Sequence, residues 1–141
     1  MKRVKIGVLL LALLTSGLES VATAADRIEW HTYESGMARS RFEKKKVFLY
    51  FHAEWCSYCA EMDRKTFKDP AVITALNRNF IPIRVDSERE TAAATLFRVK
   101  GLPDTWFLGE SGEVIGHRPG FVPPDQMVKI LTVVMASGQG N

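Results

Sequence analysis

Two short stretches are apolar almost without a break: "VFLYFHA", Val47 to Ala53, and "FIPIRVD", Phe80 to Asp86. Runs of this length, rich in β-branched and aromatic residues, predict strands covered on both faces. Around them the spacing turns helical. From about Tyr33 to Lys46 the chain is polar with apolar positions at Met37, Ala38 and Phe42, predicting a helix over 33–46 that ends in the cationic turn Lys44-Lys45-Lys46. A helix follows Cys56 to about Thr66. Another opens with Asp69 as N-cap and Pro70 at its first position. "ERETAAATLFRV" is a helix of good formers closed by Gly101. "DTWFLG" and "GEVIGHR" form a hairpin across Glu110-Ser111-Gly112. In "PPDQMVKILTVVMAS" the residues Met127, Ile130, Leu131, Val134 and Met135 recur at three- and four-residue steps, the apolar face of a closing helix.

Helices thus link two parallel strands, and an antiparallel hairpin and a covering helix follow. The expected class is α/β, a mixed β-sheet (a parallel βαβ unit plus an antiparallel hairpin) flanked by helices. At 141 residues, 46% of them hydrophobic, the chain suits one domain, with its core over about 47–136.

The first 24 residues stand apart. Lys2, Arg3 and Lys5 precede an apolar run from Ile6 to Leu14 and a small-residue end, Ala22-Thr23-Ala24. This is the pattern of a cleaved secretory signal peptide over 1–24, with the domain over 25–141. The run falls short of the roughly 20 residues that span a bilayer, and retention as an anchor is the competing expectation. The leader carries three basic residues and one acid, Glu19, so without it the formal net charge falls from +3 to +1. The remaining basic residues are interleaved with acids except at Lys44-Lys45-Lys46, so no nucleic-acid partner is expected. Export implies an oxidising compartment.

In that setting the two cysteines matter most. Cys56 and Cys59 enclose only Ser57 and Tyr58. So short a loop restricts the unfolded chain little and makes a poor structural staple. Two roles stay open, metal carriage and electron transfer. Cys56 falls where a buried strand turns into a helix, and the unpaired N–H groups at a helix N-terminus favour a thiolate, the attacking species. Cys59, three residues on, is placed to attack a mixed disulfide formed at Cys56.

"AEWCSYC" resembles the active-site segment of the thioredoxin family, with Trp55 just before the nucleophile. Further on, Gly101-Leu102-Pro103 resembles the loop that carries that family's cis-proline. The resemblance implies a thioredoxin fold, Cys56 as nucleophile and Cys59 as resolving thiol. It also implies a cis Pro103 and contact of substrate with Trp55, Leu102 and Pro103 by strand addition. Over about Lys44 to Val133 the chain resembles in particular the C-terminal periplasmic thioredoxin-like domain of the transmembrane disulfide reductase DsbD. An upstream electron donor, such as a membrane disulfide reductase, and a disulfide-bearing protein substrate are the implied partners; no cofactor is implied, and a monomer is expected.

Some positions depart from the family. Its buried acid six residues before the first cysteine is replaced here by Tyr50. Asp63 matches an acidic position of the DsbD-like domain and is a candidate proton acceptor for Cys59, with Glu54 as a second. Asp104 follows the proline where many relatives have threonine. Tyr58 carries no positive charge, and Glu54, Glu61 and Asp63 would raise the energy of a thiolate, which favours a reductant over an oxidase or isomerase. The rival from another class is Cu(I) carriage by Cys56, Cys59 and His52. A third reading is a docking module using Trp55, Tyr58, Trp106 and Phe107, although aromatic residues beside buried strands are more often core.

Overall fold

The computed structural model describes residues 26–138, and the leader expected over 1–24 lies outside them. Its elements run α1 (Tyr33–Glu43), β1 (Lys46–His52), α2 (Ser57–Arg64), a 3₁₀ turn (Thr66–Lys68), α3 (Pro70–Asn79), β2 (Phe80–Asp86), α4 (Thr91–Leu96), β3 (Asp104–Leu108), β4 (Val114–Pro119) and α5 (Pro124–Ala136). The sheet order is β2-β1-β3-β4. β1 runs parallel to β2 and antiparallel to β3, and β4 is antiparallel to β3. This is the mixed sheet that the order of elements predicts.

β1 lies inside the sheet, and Val47, Phe48, Leu49, Tyr50 and Phe51 are all fully buried. Successive side chains point to opposite faces, so the strand feeds two cores. Phe48 and Tyr50 pack with Phe107 and with Met62, Leu76, Met127 and Leu131 from α2, α3 and α5. Val47, Leu49 and Phe51 pack with Ile81, Ile83, Val85 and Leu108, under Met37 of α1 and Phe97 beyond α4. The closing helix buries Met127, Leu131 and Val134 as its periodicity predicts. α1 is polar, and it comes close to the sheet at Gly36, where an added Cβ would collide with the Ile83 side chain.

The segment before α1 belongs to the fold. Ile28 is buried. The His31 N–H donates to the Pro82 carbonyl at 2.9 Å and its carbonyl accepts from Arg84 N–H at 3.1 Å, a one-residue bridge along the outer edge of β2.

Two helix ends differ from expectation. α1 stops at Glu43 because Lys44 is left-handed (φ 52°) and the Ser40 hydroxyl donates to the Lys45 carbonyl. Lys44-Lys45-Lys46 is therefore a cap and the start of β1, not a helical turn. α4 stops at Leu96, before Gly101. Arg98 takes the left-handed conformation (φ 52°) and Val99 N–H reaches back to the Ala94 carbonyl, a Schellman-type closure that turns Phe97 and Val99 toward the second core. Asp69 caps α3 through the N–H groups of Ala71 and Val72, with Pro70 opening the helix. Among the described residues no helix is long and apolar enough to cross a membrane.

Candidate redox-active site

β1 delivers the chain to a tight turn in which Cys56 N–H donates to the Ala53 carbonyl at 3.2 Å. Cys56 is the N-cap of α2, and its Sγ accepts the Cys59 N–H at 3.2 Å. Cys56 and Cys59 are joined as a disulfide. Both are largely covered, Cys56 at 5% exposure and Cys59 at 2%. Trp55 and Tyr58, beside them, are exposed. Phe107 is core and Trp106 packs at its margin, so the aromatic residues named above divide between packing and surface.

The loop before β3 lies at the same end of the sheet. Asp104 pairs with Phe51, five residues ahead of Cys56. The Leu102–Pro103 peptide is cis. Pro103 is buried and Leu102 half-buried. A third segment, the β2–α4 turn, holds the loop before the disulfide. Trp55 Nε1 donates to Glu88 at 2.7 Å, Arg89 pairs with Glu54 at 3.1 Å, and Ser87 N–H donates to the His52 carbonyl.

Beside α2 lies a group of polar residues in aromatic surroundings. Arg84 binds Asp63 through two hydrogen bonds. Its guanidinium also faces the rings of Trp30 and Tyr50. Burial works against the Arg84 charge, but Asp63, together with Tyr50 and Asp86, outweighs it and raises the guanidinium pKa. Tyr50 fills the position of the family's buried acid; its hydroxyl has no hydrogen-bond partner among the described residues, and burial, with the Asp63 charge, raises its pKa. The His52 ring stacks on Tyr50, and burial, then the Arg84 charge, push its pKa down.

Each acid expected to destabilise a thiolate has a basic partner: Glu54 has Arg89, Glu61 has Lys65 and Asp63 has Arg84. Among the described residues no three His, Cys, Asp or Glu side chains are grouped to hold a metal ion, and His52 is not assembled with the cysteines into such a group. Three residues of this region carried no assignment from sequence. Arg84 had a visible signal as the one basic residue of an apolar strand, whereas Glu88 and His117, which lies 3.2 Å from Asp104, had none.

This geometry, a cysteine pair at a helix N-terminus at the same end of the sheet as a cis-proline, agrees with comparison to known proteins. Residues 33–134 match the thioredoxin-like domain family. The chain belongs to that family. It is a thiol–disulfide oxidoreductase whose CxxC motif holds the Cys56–Cys59 disulfide. It is 35% identical over 92 residues to the thiol:disulfide interchange protein DsbD of Haemophilus ducreyi, covering 62% of this chain and 16% of that protein. It is 36% identical over 97 residues to DsbD of Pectobacterium atrosepticum, covering 65% and 16%. The chain thus spans about a sixth of the length of these relatives. Among solved structures it is similar to a thioredoxin from Thermus thermophilus (TM-score 0.73, 28% identity, 80% of this chain and 91% of that one). It is also similar to the oxidised DsbD C-terminal domain of Neisseria meningitidis (TM-score 0.60, 26% identity, 71% and 90%).

Proposed function

We propose that the protein is an exported reductase of protein disulfides that works in a bacterial periplasm. The reduced Cys56 thiolate attacks one sulfur of a client disulfide, forming the Cys56–client bond and releasing the other client sulfur as a thiolate. Cys59 then attacks Cys56 Sγ, which closes the Cys56–Cys59 disulfide and releases the second client thiolate. Two electrons pass to the client, and the disulfide described above is the product state. Trp55, Leu102 and Pro103 form the client surface, with the backbone before Pro103 pairing with an extended client segment. Asp63, one helical turn past Cys59, accepts its proton while held in the Arg84 pair. An upstream dithiol donor, a membrane disulfide reductase by the DsbD likeness, restores the reduced pair.

The observation that carries the direction is the composition of the thiolate site. Cys56 has the helix N-terminus and the Cys59 N–H to support it, Ser57-Tyr58 adds no cation, and the basic side chains around it are occupied by acids. A thiolate with little added support leaves the dithiol strongly reducing. Equilibration of the Cys56/Cys59 pair with glutathione tests this. A potential well below that of the glutathione pool is expected, and one near the strong oxidants, about −120 mV, would overturn the reading. Replacing Cys59 with Ala should capture clients as mixed disulfides at Cys56.

A further inference from the structure

The loop bearing Leu102 and Pro103 is tied to the edge strand β4. The Pro103 carbonyl accepts the Gly120 N–H at 2.8 Å, and Asp104 stands opposite Pro119 in the ladder. The Asp104 carboxylate, 5% exposed, accepts from Trp106 Nε1 at 3.0 Å and lies 3.2 Å from His117 Nδ1. The His117 ring stacks on Trp106, centroids 4.2 Å apart and 19° from parallel. Trp106 packs on the face covered by α1 and α4, whereas α2, which carries the disulfide, covers the other. Burying a carboxylate is costly unless donors satisfy it. Packing alone gives no reason for a charge at this position.

We propose that Asp104 and His117 are positioning residues for thiol–disulfide exchange, which hold the Leu102–Pro103 backbone at the height and angle an extended client segment needs. The proposal rests on the reading of that loop as the client surface, and not on the direction of electron flow. Without His117 the carboxylate loses a donor fixed in direction and can exchange it only for mobile water at the half-exposed His117 position, so the loop loosens while the disulfide stays in place on α2. Clients that pair with the loop are affected; a small aromatic disulfide that needs no pairing is not.

The test measures KM and kcat with a disulfide-bonded peptide and with a small aromatic disulfide. It uses the full chain and its His117→Ala, His117→Gln, Asp104→Asn and Leu102→Ala variants. Loss of one hydrogen bond to a charged group predicts that His117→Ala raises the peptide KM by roughly tenfold, with kcat and the small-disulfide rate within about twofold. His117→Gln, which keeps an N–H donor, should recover most of the loss. Variants at the buried Asp104 risk the fold, so His117→Ala carries the decision. An unchanged peptide KM, or equal slowing on both substrates, overturns the proposal. If Leu102→Ala leaves the peptide KM unchanged, the client-surface reading falls and this proposal with it. If Leu102→Ala raises it while His117→Ala does not, only this proposal falls.

Discussion

Arg84 grips both oxygens of Asp63, Nη1 on Oδ1 at 2.6 Å and Nη2 on Oδ2 at 2.8 Å, and so ties strand β2 to the helix that carries the disulfide. Bidentate charged pairs are among the stronger hydrogen bonds, but the Asp63 side chain is 40% exposed, so solvent screens this one. Arg84→Met should cost about 1–2 kcal/mol in urea unfolding, including its contacts with Trp30 and Tyr50. Asp63→Asn should cost less, since Asn keeps one acceptor. If Asp63 accepts the Cys59 proton, Asp63→Asn also slows resolution of the mixed disulfide in stopped-flow measurements.

The Tyr50 hydroxyl is buried with no partner among the described residues. Removing an unsatisfied buried group relieves a desolvation cost, so Tyr50→Phe should be neutral or stabilising by up to about 1 kcal/mol. A loss of stability of that size would show that the hydroxyl does have a partner.

Burial and Arg84 depress the His52 pKa below its usual 6.5. The folded protein therefore resists a proton that the unfolded chain accepts. The His52 contribution to stability is fully present above pH 6.5 and is lost as pH falls from there through the folded pKa. Urea midpoints measured from about pH 7.5 down to 5 should decline on the acid side, and His52→Asn should flatten that decline.

Glu88 fixes the indole of Trp55 beside the disulfide. The pair is exposed, so Glu88→Ala should change stability by less than about 1 kcal/mol. With Trp55 as a client contact, capture of a peptide disulfide should weaken by roughly twofold to fivefold, and Glu88→Gln should restore it.

The strands and the placement of the cysteine pair were legible because their signals are local. An unbroken apolar run marks β1, and its junction with a helix places Cys56. Helix ends were less legible: nothing in Lys44 or Arg98 announces a left-handed residue, and Gly101 was a plausible cap that tertiary packing did not use. The Arg84–Asp63 pair spans 21 positions between elements, so the basic residue within β2 was visible but its partner was not. Asp104 and His117 meet only through the hairpin register, which carries an irregularity at Phe107/Leu108 that turn composition leaves open.

The bridge made by His31 bears on where the autonomous folding unit begins. The family match starts at residue 33, yet Ile28 and Trp30 pack on the core and His31 lines the rim of β2. A chain trimmed to 33–134 would strip the Trp30 ring from Arg84, leaving only Tyr50 against it, and leave an unprotected strand rim, free to recruit a neighbouring chain. Such a trimmed protein should self-associate and refold poorly even though its cysteines, proline loop and homologous boundaries are all intact.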